Sequence, residues 1–222
     1  MLSKVLHCLF CIPKLYLRKW IASLVNVDWC DNLLGAYHAA RTSVNFSVNL
    51  LTHPQSPRDW TVPPVDHLRL DVDAAYNINS NSYAIGGIVR NHEGQPVLAF
   101  GKKIHKTPSV TSAELVAIEE GIHTTQHHHL RINQLTSDSL LAVQAVTCPK
   151  EDLSYNGAFV TSIRRLLAQQ PQLQLEHVKR TANTVTHSLA SFAISSSSPF
   201  VWKIREFPYW LVKLVITDLV SS

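Results

Sequence analysis

Three carboxylates stand out because each lies where a predicted secondary structure element begins or ends. Asp73 comes near the end of an alternating strand, Glu114 in the first turn of a helix, and Asp138 directly after a short strand. Oxygen ligands of this kind bind hard cations such as magnesium. Two such ions about 3.5–4 Å apart can activate water and stabilise the leaving oxygen in phosphodiester cleavage. Each acid alone also has a structural reading, since Asp138 could cap a helix and Glu114 could complement a helix dipole.

The elements that must position these acids follow from apolar periodicity and turn residues. Strands are predicted from residue 68 onward and over 82–91, 96–105, 131–136 and 173–178, and helices over 112–126, 139–146, 154–169 and 183–193. The order β-β-β-α-β-α-α-β-α predicts an α/β fold with a mixed sheet flanked by helices. If the first and fourth strands are neighbours, the three acids converge at one site.

Composition and charge limit the possible functions. The chain has 222 residues and is 45% hydrophobic, as expected of a globular protein. Residues 68–195 carry 11 Lys and Arg against 10 Asp and Glu, so this part is not a polycationic coating module. No stretch approaches the roughly 20 apolar residues of a membrane span. Four cysteines in so long a chain favour a reducing compartment, the nucleus or the cytoplasm.

The prolines divide the chain. Four of them fall between residues 52 and 67, which predicts a linker. We therefore expect an N-terminal extension and linker over 1–59, the main domain over 60–195, and an aromatic tail over 196–222. The tail aromatics could stack on nucleic-acid bases, but packing against the domain is favoured.

Two other groups could bind metal. Cys8 and Cys11 form one C-x-x-C pair, half of a zinc ligand set, and we favour a buried helix face instead. The histidines at 127–129, with His123 one turn earlier, are favoured as an exposed helix end. Asp71 shares a strand face with Asp73 and is expected to be a polar neighbour of the site.

Five sequence blocks carry a resemblance to a known family. They are Leu70-Asp71-Val72-Asp73-Ala74-Ala75, Gly86-Gly87-Ile88-Val89-Arg90, Ala113-Glu114-Leu115, Ser137-Asp138-Ser139, and H-V-K-R at 177–180 with A-N-T-V at 182–185. In this order they resemble the plant branch of type 1 ribonuclease H-like domains, which is similar to the terminal domain of non-LTR retroelement reverse transcriptases. The resemblance implies the ribonuclease H-like fold with a five-stranded mixed sheet. It also implies two divalent ions, magnesium or manganese, an RNA–DNA hybrid as substrate, and catalytic roles for the three acids.

The sequence departs from this family at several places. The fourth family carboxylate falls at His187, which we include among the candidate catalytic residues. A neutral imidazole adds no negative charge and suits magnesium poorly. A loop histidine, a basic protrusion and a polar pair, replaced by Val110 and Thr111, are also missing. Two functions follow: a monomeric metal-dependent nuclease that cuts RNA in a hybrid, or a retroelement-derived module that binds nucleic acid with weak or no activity.

Four residues are expected to contact nucleic acid. Gly86 and Gly87 could let a sugar-phosphate backbone approach closely, or could mark a bulge. Thr111 and Asn183 flank the predicted site in sequence. Selection of RNA would come from reading the 2′-OH across the minor groove.

Overall fold

Apolar and acidic side chains alternate along the first strand, and both faces of that strand are buried. Leu70 and Val72 face one side of the sheet, and Asp71 and Asp73 face the other, all of them buried. A strand that is covered on both faces needs helices on both sides of its sheet. The computed structural model describes residues 60–78, 82–104 and 109–221, so the predictions for residues 1–59 lie outside the described residues.

Six strands and five helices form this part of the chain. The strands are β1 Arg69–Asn77, β2 Ser82–Arg90, β3 Pro96–Ile104, β4 Gln134–Ser137, β5 Gln174–His177 and β6 Phe200–Lys203. The helices are α1 Val110–His127, α2 Leu140–Thr147, α3 Gly157–Ala168, α4 Thr184–Ser195 and α5 Tyr209–Ser221, and a 3-10 helix, Arg180–Asn183, precedes α4. The predicted element order is confirmed through α4.

The six strands form one mixed sheet in the order β5-β4-β1-β2-β3-β6. Strands β1, β2 and β3 run antiparallel through hairpins, and β4 and β5 are parallel to β1. The turn between β2 and β3 places Gly94 at φ 74°, a conformation that favours glycine. The first and fourth strands are neighbours, which is the condition under which the acids were expected to converge, and the segments carrying Asp73 and Asp138 lie side by side.

Two hydrophobic cores lie on the opposite faces of the sheet. On one face α1, α2 and α3 cover the apolar side of β1, and Gly121 lets α1 approach Leu70 and Val72 closely. On the other face α4 and α5 pack over β2 and β3 through Ile88, Ala99 and their neighbours. The predicted mixed α/β fold class is therefore confirmed.

The strand count differs from the five expected. β6, which lies in the predicted aromatic tail, pairs antiparallel with β3, and α5 completes the second core. Phe192, Phe200, Trp202 and Trp210 form a cluster with ring centroids 4.1–6.1 Å apart. The aromatic residues thus pack on the fold, which is the interpretation favoured from the sequence. In the described part of the chain, no helix has the length and apolar character needed to span a membrane.

Candidate metal centre

The three predicted carboxylates meet at one point of the structure. Asp73, Glu114 and Asp138 each offer an oxygen, and these oxygens all lie within 4.8 Å of one another. Asp73 was predicted near the end of its strand, but β1 continues to Asn77, so Asp73 lies in the middle of β1, just beyond the Val72–Ser137 pair where the ladder to β4 ends. Among the described residues, this is the only group of His, Cys, Asp or Glu side chains with such spacing. The histidines at 127–129 form none.

Neither Asp138 nor Glu114 caps a helix, so both carboxylates are free to bind a cation. Ser139, and not Asp138, caps α2 by accepting a hydrogen bond from the Ala142 backbone N–H at 3.4 Å. Helix α1 begins at Val110, two residues earlier than predicted, so its first turn contains no acidic residue. Glu114 lies one turn further in, where the helix dipole offers it little stabilisation. Neither structural reading of these acids therefore accounts for their positions.

Burial and mutual repulsion disfavour the ionised forms of these carboxylates when no cation is bound. Burial, together with the charges of Asp73 and Asp138, raises the pKa of Glu114 to about 9. Burial also raises the pKa of Asp73, although its hydrogen bond with His187 opposes the shift. The Oε2 atom of Glu114 is buried and has no hydrogen-bond partner among the residues that the structure describes. A divalent cation would satisfy that oxygen and offset the repulsion, so the oxygen-only donor set fits a hard cation.

His187 lies against the first of these acids. Its Nδ1 is 2.9 Å from Oδ2 of Asp73, and its side chain is 45% exposed. The hydrogen bond with Asp73 raises the pKa of His187, against the opposing effect of burial. The residue at the position of the family's fourth carboxylate therefore contacts a candidate ligand directly.

Three of the four residues predicted to contact nucleic acid are packed against, or hydrogen-bonded to, other parts of the protein. Asn183 is 1% exposed, and its Nδ2 donates to the Val72 carbonyl at 2.9 Å and to Oδ1 of Asp138 at 3.2 Å. A Cβ on Gly86 would meet the backbone of α4, and one on Gly87 would meet the Phe100 ring. Close protein packing therefore explains both glycines, and Asn183 holds a carboxylate in place. Thr111, at the start of α1, is half-buried.

Two further charged residues lie near the centre: Arg180, to which the sequence assigned no role, and Asp71, which was expected to be a polar neighbour of the site. Arg180 is exposed in the 3-10 helix, and its charge acts to lower the pKa of both Glu114 and His187. Asp71 is completely buried and is bonded to protein donors, so it is no metal ligand. Burial alone would raise the pKa of Asp71, but the charges of Arg69 and Arg90, together with hydrogen bonds from Thr136 and Arg90, outweigh it and lower that pKa. The only sequence signal for Arg180 was its place in the H-V-K-R block.

Comparisons with known proteins agree with the fold. The sequence profile of the family described as "Reverse transcriptase-like" matches residues 71–193, more than half of the chain. A structure of RNase H1 from the halophilic archaeon Halobacterium salinarum NRC-1 is similar, with a TM-score of 0.53 and 21% identity. The similarity covers 58% of this chain and 97% of that one. A comparison with curated proteins finds no match.

A second similar protein is LC11-RNase H1, isolated from compost by a metagenomic approach. Its structure has a TM-score of 0.52 and 18% identity, over 59% of this chain and 96% of that chain. A further structure of LC11-RNase H1, in complex with an RNA/DNA hybrid, has a TM-score of 0.51 and 17% identity, over 57% and 96% of the two chains. At these identities the similarity shows the fold, which is ribonuclease H-like.

Proposed function

The chain belongs to the reverse transcriptase-like family, and on this premise we propose that it is a metal-dependent endonuclease that cuts the RNA strand of RNA–DNA hybrids. The observation that carries the proposal is the convergence of Asp73, Glu114 and Asp138 from three separate elements. The hybrid bound to the similar LC11-RNase H1 supports the substrate class.

The three carboxylates would hold the cation, magnesium or manganese. A bound divalent ion supplies the positive charge that activates water and stabilises the leaving oxygen in phosphodiester hydrolysis. Asn183 keeps Asp138 in place through its amide, and the β1–β4 ladder holds the strand ends together. The exposed guanidinium of Arg180 lies close enough to act on the centre's charges and suits a phosphate oxygen of the substrate.

His187 determines which metal the centre prefers. In place of a fourth carboxylate it brings a nitrogen and no negative charge, so a second ion has fewer anionic ligands. Manganese binds nitrogen-containing sites more tightly than magnesium. We therefore propose that activity is higher with manganese.

Binding to the hybrid would depend on few contacts. Residues 68–195 are nearly neutral, so the cation must offset part of the phosphate repulsion. Thr111 remains a proposed contact at the start of α1. We do not extend that proposal to Gly86, Gly87 or Asn183, because protein packing and hydrogen bonds occupy them.

One observation favours a second candidate, a module that binds nucleic acid without cutting it. His187 already forms a hydrogen bond with Oδ2 of Asp73, and its protonated ring would repel a cation. Hybrid binding without cleavage in either metal would support this candidate.

A cleavage assay tests the proposal directly. The full chain is incubated with a labelled RNA–DNA hybrid in magnesium and in manganese, beside Asp73→Asn. We expect cleavage of the RNA strand, greater in manganese, and none with Asp73→Asn. Equal cleavage by Asp73→Asn would overturn the proposed site.

A further inference from the structure

Asp71 lies at the centre of a buried network next to the metal centre. Its side chain is 0% exposed and accepts four hydrogen bonds. The donors are Trp60 Nε1 at 3.1 Å, Arg69 Nε at 2.6 Å, Arg90 Nη2 at 2.8 Å and Thr136 Oγ1 at 2.5 Å. A carboxylate has about four lone-pair sites, so none is left for a metal ion.

The bond from Thr136 joins β1, which carries Asp73, to β4, which Asp138 directly follows. Asp71 in β1 and Thr136 in β4 are directly paired in the parallel ladder. Asp73 lies two residues further along β1, one strand repeat of roughly 6–7 Å. Asp138 lies two residues after Thr136, one residue beyond the end of β4. A shift between Asp71 and Thr136 would therefore change the separation of the two carboxylates that follow them.

We propose that Asp71 and Thr136 form a positioning pair that sets the separation of Asp73 and Asp138 for metal binding. This inference rests on the proposed function, because it assumes that the centre binds a divalent cation. Neither residue of the pair touches the ion.

The β1–β4 ladder is short, so a side-chain hydrogen bond between its strands would help to fix their separation. It contains only four residue pairs, from Arg69–Gln134 to Val72–Ser137. The carboxylates just beyond it repel each other and tend to part the strand ends. Asn183 forms a second link, because its side chain donates to both the Val72 carbonyl in β1 and Oδ1 of Asp138 after β4. The two segments are therefore held together at two places.

The pair is itself anchored to distant parts of the chain. The guanidinium of Arg90 lies 3.6 Å from the centroid of the Trp60 ring. Its Nη1 is 2.6 Å from Oδ2 of Asp218 in α5. Asp71 is therefore held by β2 and by the segment before β1, and through Arg90 it is tied to α5. A fixed Asp71 can in turn fix Thr136.

The test removes one hydroxyl from the pair. Thr136→Val keeps the shape of the side chain and leaves Asp71 with three donors. Thr125→Val is the matched control, because Thr125 is also buried and its hydroxyl bonds only the carbonyls of Gly121 and Ile122 within α1. Manganese affinity of the full chain is measured by calorimetry for both variants, with thermal unfolding in chelator beside it.

We expect Thr136→Val to bind manganese about tenfold more weakly, in the range seen when groups behind metal ligands are removed. Thr125→Val should bind like the wild type although both variants lose stability. Thr136→Ser, which retains the hydroxyl, should restore the affinity, and Thr136→Ala replaces the valine variant if that variant does not fold. Wild-type affinity in a folded Thr136→Val or Thr136→Ala would overturn the positioning role while leaving the metal centre intact. A wild-type chain that binds no manganese would instead overturn the proposed function, and this inference with it.

Discussion

Replacing Glu114 with glutamine should stabilise the protein in the absence of metal. The raised pKa of about 9 means that folded Glu114 holds a proton over a pH range in which an ordinary glutamate, near 4.5, has lost it. Between these two values the folded state binds more protons than the unfolded state. The free energy of unfolding therefore falls as the pH rises. Glutamine resembles the neutral acid and avoids this cost.

The size of the effect follows from the two pKa values. At pH 7 the pH exceeds the ordinary value of 4.5 by about 2.5 units, and each unit corresponds to about 1.4 kcal/mol. The upper limit is then about 3.5 kcal/mol, and relaxation of the site should leave roughly 1–3 kcal/mol. At pH 5 the same reasoning gives less than about 1 kcal/mol.

Urea unfolding in chelator at pH 5, 7 and 8.5 measures this gain. Glu120→Gln in the same helix serves as control, since Glu120 forms only a partly exposed ion pair with Lys102. Its replacement should change stability by less than about 1 kcal/mol. Adding manganese should stabilise the wild type more than Glu114→Gln. A glutamine variant that is less stable than the wild type, or a gain that does not grow with pH, would refute the reasoning.

Four further predictions concern other parts of the chain. His187→Asp should raise the magnesium-supported cleavage rate and reduce the preference for manganese, and unchanged rates in both metals would place His187 outside the chemistry. The hydrogen bond with Asp73 raises the pKa of His187, so the pair stabilises the fold while His187 is protonated, and this stabilisation is lost as the pH rises above about 6.5. In thermal unfolding, His187→Asn should therefore lower the melting temperature at about pH 6.5 and change it little at about pH 9. Asp218→Ala leaves Arg90 buried with one carboxylate fewer and should cost about 3 kcal/mol by urea unfolding, whereas a cost under about 0.5 kcal/mol would show that the pair contributes little. The affinity for the hybrid should fall more steeply with salt concentration for the full chain than for a chain that starts at residue 60. Equal slopes of log affinity against log salt would show that the basic N-terminal residues do not contact phosphates.

The sequence predicted the order of elements and the three acids because both leave local signals. Alternation around Leu70 and Val72 marks a strand, and turn residues separate the elements. Asp73 and Asp138 could be expected to meet once β1 and β4 were taken as adjacent, although β1 continues four residues past Asp73 and it is the end of β4 that brings Asp138 beside it. These inferences needed only short stretches of sequence.

The features that were missed depend on contacts between distant residues. β6 is four residues long, and its partner β3 lies about 100 residues earlier, so its pattern alone does not reveal a strand. Gly86 lacks a side chain because α4 packs on it, and nothing near it in sequence indicates that helix. Asn183 likewise supports Asp138 through a side-chain contact across 45 positions.

The ion pair between Arg90 and Asp218 has a consequence for synthesis of the protein. These residues are 128 positions apart, and a ribosome adds about 5–20 residues per second. For roughly 6 to 26 seconds the nascent chain thus contains the β1–β3 meander, with Asp71, but lacks the helix that supplies the second carboxylate partner of Arg90. During that time the outer edge of β3, later covered by β6, can pair with other chains. We expect this interval to be the period in which the nascent chain depends most on chaperones.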